Sequence, residues 1–310
     1  MGEATMGEIL CEKTFGASAF CGSDFYSINF YLGFNMKRIV FASLCLAICT
    51  SIHAGEVVRI WSPGKHTDSI QQMIAEGRCV PAVEALKAGL AEKKPEVTLL
   101  AGTMYEEGLC VKANWDRAAG LYMRAQDAGQ RFALEHLIAG YARPGRDNSM
   151  ALYWAVQAPA HMGLPQECLP VADPLKDPDG FAAAIDKMPP AVFQSCVYTA
   201  GVVAQIFSET SYPPLALDWN VTGKLLMVFD PAANTVDWLT EALNVQATAP
   251  SGIRNDAAED LLQNPKAVKN SLVNYLKGKG DFALKRFARP STWGLDRTFR
   301  YKREIVFSIE

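Results

Sequence analysis

The five residues Glu76-Gly77-Arg78-Cys79-Val80 return 31 positions later as Glu107-Gly108-Leu109-Cys110-Val111. Each copy follows one helical stretch and precedes another, so each reads as the turn of a helical hairpin. A repeat of that length implies stacked supersecondary units, each burying its apolar face against the next. Downstream, Trp115, Ala118, Ala119, Tyr122 and Ala125 form a stripe at helical spacing. Ala151, Trp154, Ala155 and Ala158 form another, at i, i+3, i+4 and i+7. Between them, Ala133, Leu137, Ile138 and Tyr141 predict a further helix. Small alanines let paired helices approach, aromatics fill the gaps between layers, and Asp147-Asn148-Ser149 supplies an N-cap.

Export is the second expectation. Met36-Lys37-Arg38 precedes an apolar run from Ile39 to Cys49, followed by Thr50-Ser51-Ile52-His53-Ala54. A basic start, a short hydrophobic segment and a small residue describe a secretory signal peptide cut between Ala54 and Gly55. The run is too short for a permanent membrane helix. Residues 36–54 are then the signal, and residues 1–35 read as a mis-assigned N-terminal extension ahead of a true start at Met36. Ile48 stands where a lipobox has a small residue, which weighs against a lipid anchor at Cys49.

Of eight cysteines, four lie beyond the leader: Cys79, Cys110, Cys168 and Cys196. An even number in an oxidising compartment favours two disulfides, and four cysteines allow three connectivities. Pairing of neighbours in sequence, 79–110 and 168–196, keeps each bond within one region; buried free thiols are the alternative. For 79–110, stacked hairpins place equivalent positions about 10 Å apart, whereas a disulfide needs Cα atoms within about 7 Å. The two turns must therefore lean together.

Seven prolines between Pro159 and Pro190 exclude a regular helix or central strand through that stretch. Residues 159–211 read as a Pro-rich connecting element. Asp177-Pro178-Asp179-Gly180 is a turn and cap before a short helix from Phe181 to Lys187, because a calcium-loop frame would place Leu175 where a carboxylate is required. Ala191 to Phe207 is apolar and partly β-branched, which leaves a helix or a hairpin bent at Gly201 open. Further on, Leu225, Met227 and Phe229 alternate with Lys224, Leu226 and Val228, predicting a strand over 224–229. Thr235 to Leu239 follows as a second strand. Asn264-Pro265 opens a helix that should end at Gly278. Tyr301 to Ile309 alternates again. Strand, strand, helix, strand gives a small sheet with one covering helix. The expected fold class is α+β: helical hairpins over 55–158, then a small α/β domain over 212–310.

Two resemblances attach to these residues. Ala101-Gly102-Thr103-Met104-Tyr105-Glu106-Glu107-Gly108-Leu109-Cys110-Val111, then Asp116, Ala118, Leu121-Tyr122, Ala125 and Gly129, resembles the SEL-one-like (TPR-like) repeat, with Cys110 in place of the second turn glycine. One unit matches from about Val97 to Gly129, a looser one covers Gln130 to Ala158, and Asp68 to Lys93 is a degenerate first hairpin. The resemblance implies a short right-handed superhelix used for protein contacts. Tyr212-Pro213-Pro214, Ala216, Val221, Gly223, the strand through Phe229, Arg286-Phe287-Ala288-Arg289-Pro290 and Glu304 to Ile309 resemble the C-terminal domain of TonB proteins. Asn234 replaces the usual hairpin glycine, and Leu239 to Gln263 is longer than that pattern expects. The family binds outer-membrane receptors by strand pairing at an open sheet edge.

Net charge of −3 without a basic run argues against nucleic-acid binding. His66, His136 and His161 lack ligand spacing, and nucleophile elbow, phosphate loop and dinucleotide fingerprint are absent, so no catalytic, metal or cofactor residue is assigned. Tyr105, Trp115, Tyr122 and Trp154 are candidates for a partner surface, with core packing the competing role of the stripe aromatics. Lys285 and Arg286 could meet an acidic partner. These features predict a non-catalytic periplasmic interaction or adaptor protein of the Gram-negative envelope, regulating or inhibiting an envelope or secretion system. An envelope coupling protein bound to outer-membrane receptors and a protein bound to peptidoglycan are the alternatives.

Overall fold

The computed structural model describes residues 58–60, 65–130, 132–158, 162–170, 173–209, 216, 221–240, 243–245 and 265–307. The leader, its cleavage site and the Tyr212-Pro213-Pro214 approach lie outside them. The described residues combine nine α-helices with one mixed sheet, so the α+β class holds.

Three helix pairs come first: α1 (Lys65–Ala75) with α2 (Cys79–Ala91), α3 (Pro95–Glu107) with α4 (Trp115–Asp127), and α5 (Ala133–Tyr141) with α6 (Asn148–Ala155). The repeated turn behaves alike in both copies. Gly77 and Gly108 adopt φ of 72° and 71°, the left-handed conformation that ends a helix most readily on glycine. Cys110, at the second turn-glycine position, keeps that backbone with φ 58°. The copies then diverge, because α2 starts at Cys79 itself whereas a loop runs on to Asn114 before α4. Cys79–Cys110 is bonded with Cα atoms 4.9 Å apart, and Cys168–Cys196 with Cα atoms 5.3 Å apart. Both disulfides fit an oxidising, extracytoplasmic environment.

The expected stripes face inward. Ala118, Ala119, Tyr122 and Ala125 are buried on α4, as are Ala151, Ala155 and Ala158 on and just beyond α6. Asn114 accepts the Arg117 N–H at 2.9 Å and Asp147 that of Ser149 at 3.1 Å, capping α4 and α6.

The Pro-rich stretch opens with a 3₁₀ turn at Gln166–Cys168 and α7 (Pro178–Asp186), with Asp177 accepting the Gly180 N–H at 2.8 Å. Residues read from sequence as part of a connecting element then form α8 (Pro190–Glu209), a single helix with no bend at Gly201. Its Cys196, Ala200, Val202, Val203, Ala204 and Ile206 are fully buried. Among the described residues it is the one helix long and apolar enough to cross a membrane, yet it lies mostly inside the protein. Helices α5 and α6 pack on one side of it and the last helix, α9 (Pro265–Arg286), on another. One continuous apolar core therefore runs from the third helix pair through α8 to the sheet.

The sheet pairs β1 (Val58–Ile60), β5 (Tyr301–Phe307), β2 (Val221–Asp230) and β3 (Thr235–Leu239) in that spatial order. Strand β1 runs parallel to β5, and the other pairings are antiparallel. Short β4 (Leu243–Val245) pairs with Val221–Gly223 along the same edge of β2 as β3. Leu225, Met227 and Phe229 of β2 and Tyr301, Ile305 and Phe307 of β5 are buried, while Lys224, Leu226 and Val228 face outward, as the alternation requires. Asn234, the hairpin residue in place of glycine, has φ 62°.

Helix α9 starts at Pro265 as expected but corrects the expected stop: it passes Gly278 and ends eight residues later at Arg286. Its inward positions continue through Val268, Leu272, Leu276, Ala283 and then Phe287. Gly280 lies against Val236, where an added Cβ would sit 3.2 Å from the valine Cβ. Gly280 permits close packing on β3, and the tertiary contact outweighs its weak helix propensity.

Candidate functional site

Two neighbouring residues of α3, Tyr105 and Glu106, open onto different surroundings. Glu106 points inward and its side chain is only 5% exposed. It pairs with Arg146 at 3.0 Å, Arg143 at 3.3 Å and Arg286 at 3.4 Å. It also accepts the Tyr122 hydroxyl at 2.9 Å. Glu107 pairs with Arg143 at 3.4 Å and with Arg286. Burial alone would raise the Glu106 pKa, but the positive charges of His136, Arg146 and Arg286 and the hydrogen bond from Arg146 outweigh it and hold the carboxyl below its ordinary value. Burial and the Glu106 charge push the Tyr122 hydroxyl well above its usual range. Tyr122 therefore stays a protonated donor.

Aromatic rings box in this cluster. Tyr122 stacks on His136 with centroids 4.7 Å apart. Arg146 sits 3.8 Å over the Trp115 ring, which meets Tyr141 edge-on at 4.9 Å. Arg286 is the last residue of α9, 180 positions from Glu106. The cluster thus joins the second helix pair, the turn after α5 and the end of α9.

Tyr105 is half-buried beside the α3–α4 loop. It lines a cleft of about 430 Å³ with Val111, Lys112, Ala113, Asn114 and Arg117. The Arg117 guanidinium lies 4.3 Å above the Tyr105 ring centroid. The Asn114 N–H donates to the Tyr105 carbonyl at 2.8 Å, and Cys110 ties the loop to the start of α2.

A second cleft, of about 410 Å³, is walled by the α5–α6 turn, α8 and residues 287–291. Burial pushes its Tyr198 hydroxyl up to about 12, against the opposing charge of Arg289. That hydroxyl donates to Asn234 Oδ1, and Arg289 donates to the Ala232 carbonyl. The cleft thereby leans on the β2–β3 hairpin.

The expected partner-facing residues separate accordingly. Tyr105 borders an open cleft and Lys285 is exposed. Tyr122 is fully buried, and Trp115 is half-buried under Arg146. Trp154 packs edge-on against Tyr153, with its Nε1 buried and unpaired among the described residues. Arg286 is 11% exposed and engaged with Glu106 and Glu107, so its charge serves the fold. Sequence reasoning missed Glu106, Arg143 and Arg146. The doubled Glu106-Glu107 beside a turn was visible, but nothing local shows which cations return to it. Among the described residues, no group of three or more His, Cys, Asp or Glu side chains could hold a metal ion.

Family models, curated proteins and solved structures were each compared with the chain, and none matches. Among the described residues, fold and site define an α+β, disulfide-bonded protein with a buried ion cluster and surface clefts at Tyr105 and Tyr198.

Proposed function

We propose that this chain is a periplasmic adaptor that reaches the envelope through a cleaved signal peptide and binds a protein partner there. On this reading, the helix pairs are a SEL-one-like array, and β2, β3, α9 and β5 correspond to a TonB C-terminal-like domain used for binding. The open edge carries the proposal. Strand β3 pairs with β2 alone among the described strands, and its Leu239 is 47% exposed. An edge of this kind offers unpaired N–H and C=O groups to a partner strand.

Further support comes from rigidity. Two disulfides crosslink the helical part, and the Glu106 cluster ties α3 and the α5–α6 turn to the end of α9, which packs on β3; a preorganised surface binds at lower entropic cost. The same edge favours a second reading, in which the domain still couples to an outer-membrane receptor by strand pairing. Affinity capture separates the readings. A C-terminally tagged chain expressed from its native precursor and crosslinked in the envelope should return one stoichiometric protein. An outer-membrane receptor as that protein supports coupling, and any other protein supports the adaptor. Recovery of peptidoglycan alone overturns both.

A further inference from the structure

We infer that the cleft between Tyr105 and the 111–117 segment is a carboxylate-binding subsite for an acidic side chain of the partner protein. This rests on the adaptor reading for the identity of the ligand's carrier. The lining holds two cations, Lys112 and Arg117, and no carboxylate. Both are exposed, and neither has a carboxylate partner among the described residues. The neighbouring Glu106 and Glu107 are committed to the three arginines.

The geometry suits one kind of anion. Stacking on Tyr105 holds the flat face of Arg117, which leaves the N–H edge of its guanidinium to donate two parallel hydrogen bonds to a carboxylate. Lys112, across the loop, adds a point charge. The Tyr105 ring, Val111 and Ala113 add apolar surface to a cleft whose lining is mostly polar, and its volume lies at the small end of the range for binding pockets. An extended segment with a glutamate beside an apolar residue fits that mixture. The wall is preorganised, because the Cys79–Cys110 bond and the Asn114 N–H to Tyr105 carbonyl hydrogen bond fix both ends of the loop.

The test is fluorescence anisotropy on the mature chain with disulfides intact. The probe is a fluorescein-labelled Gly-Glu-Glu-Leu-Gly amide, compared with its Gln-Gln counterpart. The Glu peptide should bind at least about tenfold more tightly, and the preference should shrink as salt rises. Arg117→Gln and Lys112→Gln are surface changes that should keep a cooperative melting transition, lowered only slightly by loss of the Arg117–Tyr105 stack, and together they should weaken the Glu peptide by at least about tenfold. Equal affinity for the two peptides, or binding unaffected by the double variant, would overturn the subsite. Capture of the partner distinguishes the two levels. A wild-type chain that retains its protein partner while the acidic peptide fails to bind leaves the adaptor reading standing and removes the subsite. A chain that captures no protein removes the adaptor reading, and the titration still decides the chemistry of the cleft.

Discussion

Replacing Glu106 with Gln keeps the shape of the side chain and one oxygen for Tyr122 but removes the charge that three guanidiniums share. At an effective dielectric near 20, each contact of 3.0–3.4 Å corresponds to about 5 kcal/mol of Coulomb attraction. Desolvation of Glu106 and mutual repulsion among Arg143, Arg146 and Arg286 cancel most of it. Breaking a buried pair costs about 3–5 kcal/mol because the surviving charge is left unmatched. The arginines keep some water, Arg146 at 15% and Arg286 at 11% exposure, so a loss of about 2–4 kcal/mol is expected for Glu106→Gln. The pH dependence follows from the depressed carboxyl. A folded pKa below the ordinary value means the contribution is complete above about pH 4.5 and is lost as pH falls through the lower folded pKa. Urea unfolding of both proteins from pH 7 down to pH 3 measures this directly. The stability gap should be widest near pH 7 and close progressively below about pH 4.5. A gap below about 1 kcal/mol at pH 7, or one constant across that range, would refute the cluster's role.

Gly278 lies inside α9 with open space where a Cβ would go, so Gly278→Ala should raise stability by about 0.5–1 kcal/mol in thermal unfolding; a loss would mean the helix stops there. Gly294→Ala should behave in the opposite way, because the new Cβ would sit 2.3 Å from the Ala191 carbonyl carbon, and a loss of at least about 2 kcal/mol is expected by denaturant titration. Replacing Cys168 and Cys196 by alanine opens a closure of 28 residues and should cost about 3.6 kcal/mol from chain entropy, read as a lower urea midpoint for the double variant. Asn114→Ala removes the α4 cap and should cost about 1 kcal/mol in the same assay.

Much of this fold was legible wherever one face of an element meets water. The β2 alternation and the alanine stripes of α4 and α6 are readable because exposed positions interrupt the apolar ones. Helix α8 escaped for the opposite reason. It packs against α5, α6 and α9, so even polar Ser195, Thr199 and Gln205 are buried and no period survives to separate helix from strand. Gly278 misled because glycine marks a helix end when local propensity decides, whereas here the buried positions on either side of it, Leu276 and Ala283, carry the helix on. The disulfide partners were legible from their neighbourhoods, whereas the left-handed backbone of Cys110 was not, since Cys79 at the equivalent place starts a helix. The ion cluster was not legible, since Glu106 and Arg286 meet only after the whole chain between them has folded. Of the residues lining the Tyr105 cleft, Tyr105 was visible beside a turn, whereas Lys112 in the loop and Arg117 in the first turn of α4 meet it only once the α3–α4 connection has folded.

The central claim is that this chain works by holding another protein at its open sheet edge. A photo-crosslinking amino acid placed at Leu239 of β3, in cells making the protein from its native precursor, tests it most directly. Irradiation should trap one discrete protein adduct, and the same group at exposed Lys176 should trap none. A folded, disulfide-bonded chain that forms no adduct at Leu239 would contradict the account.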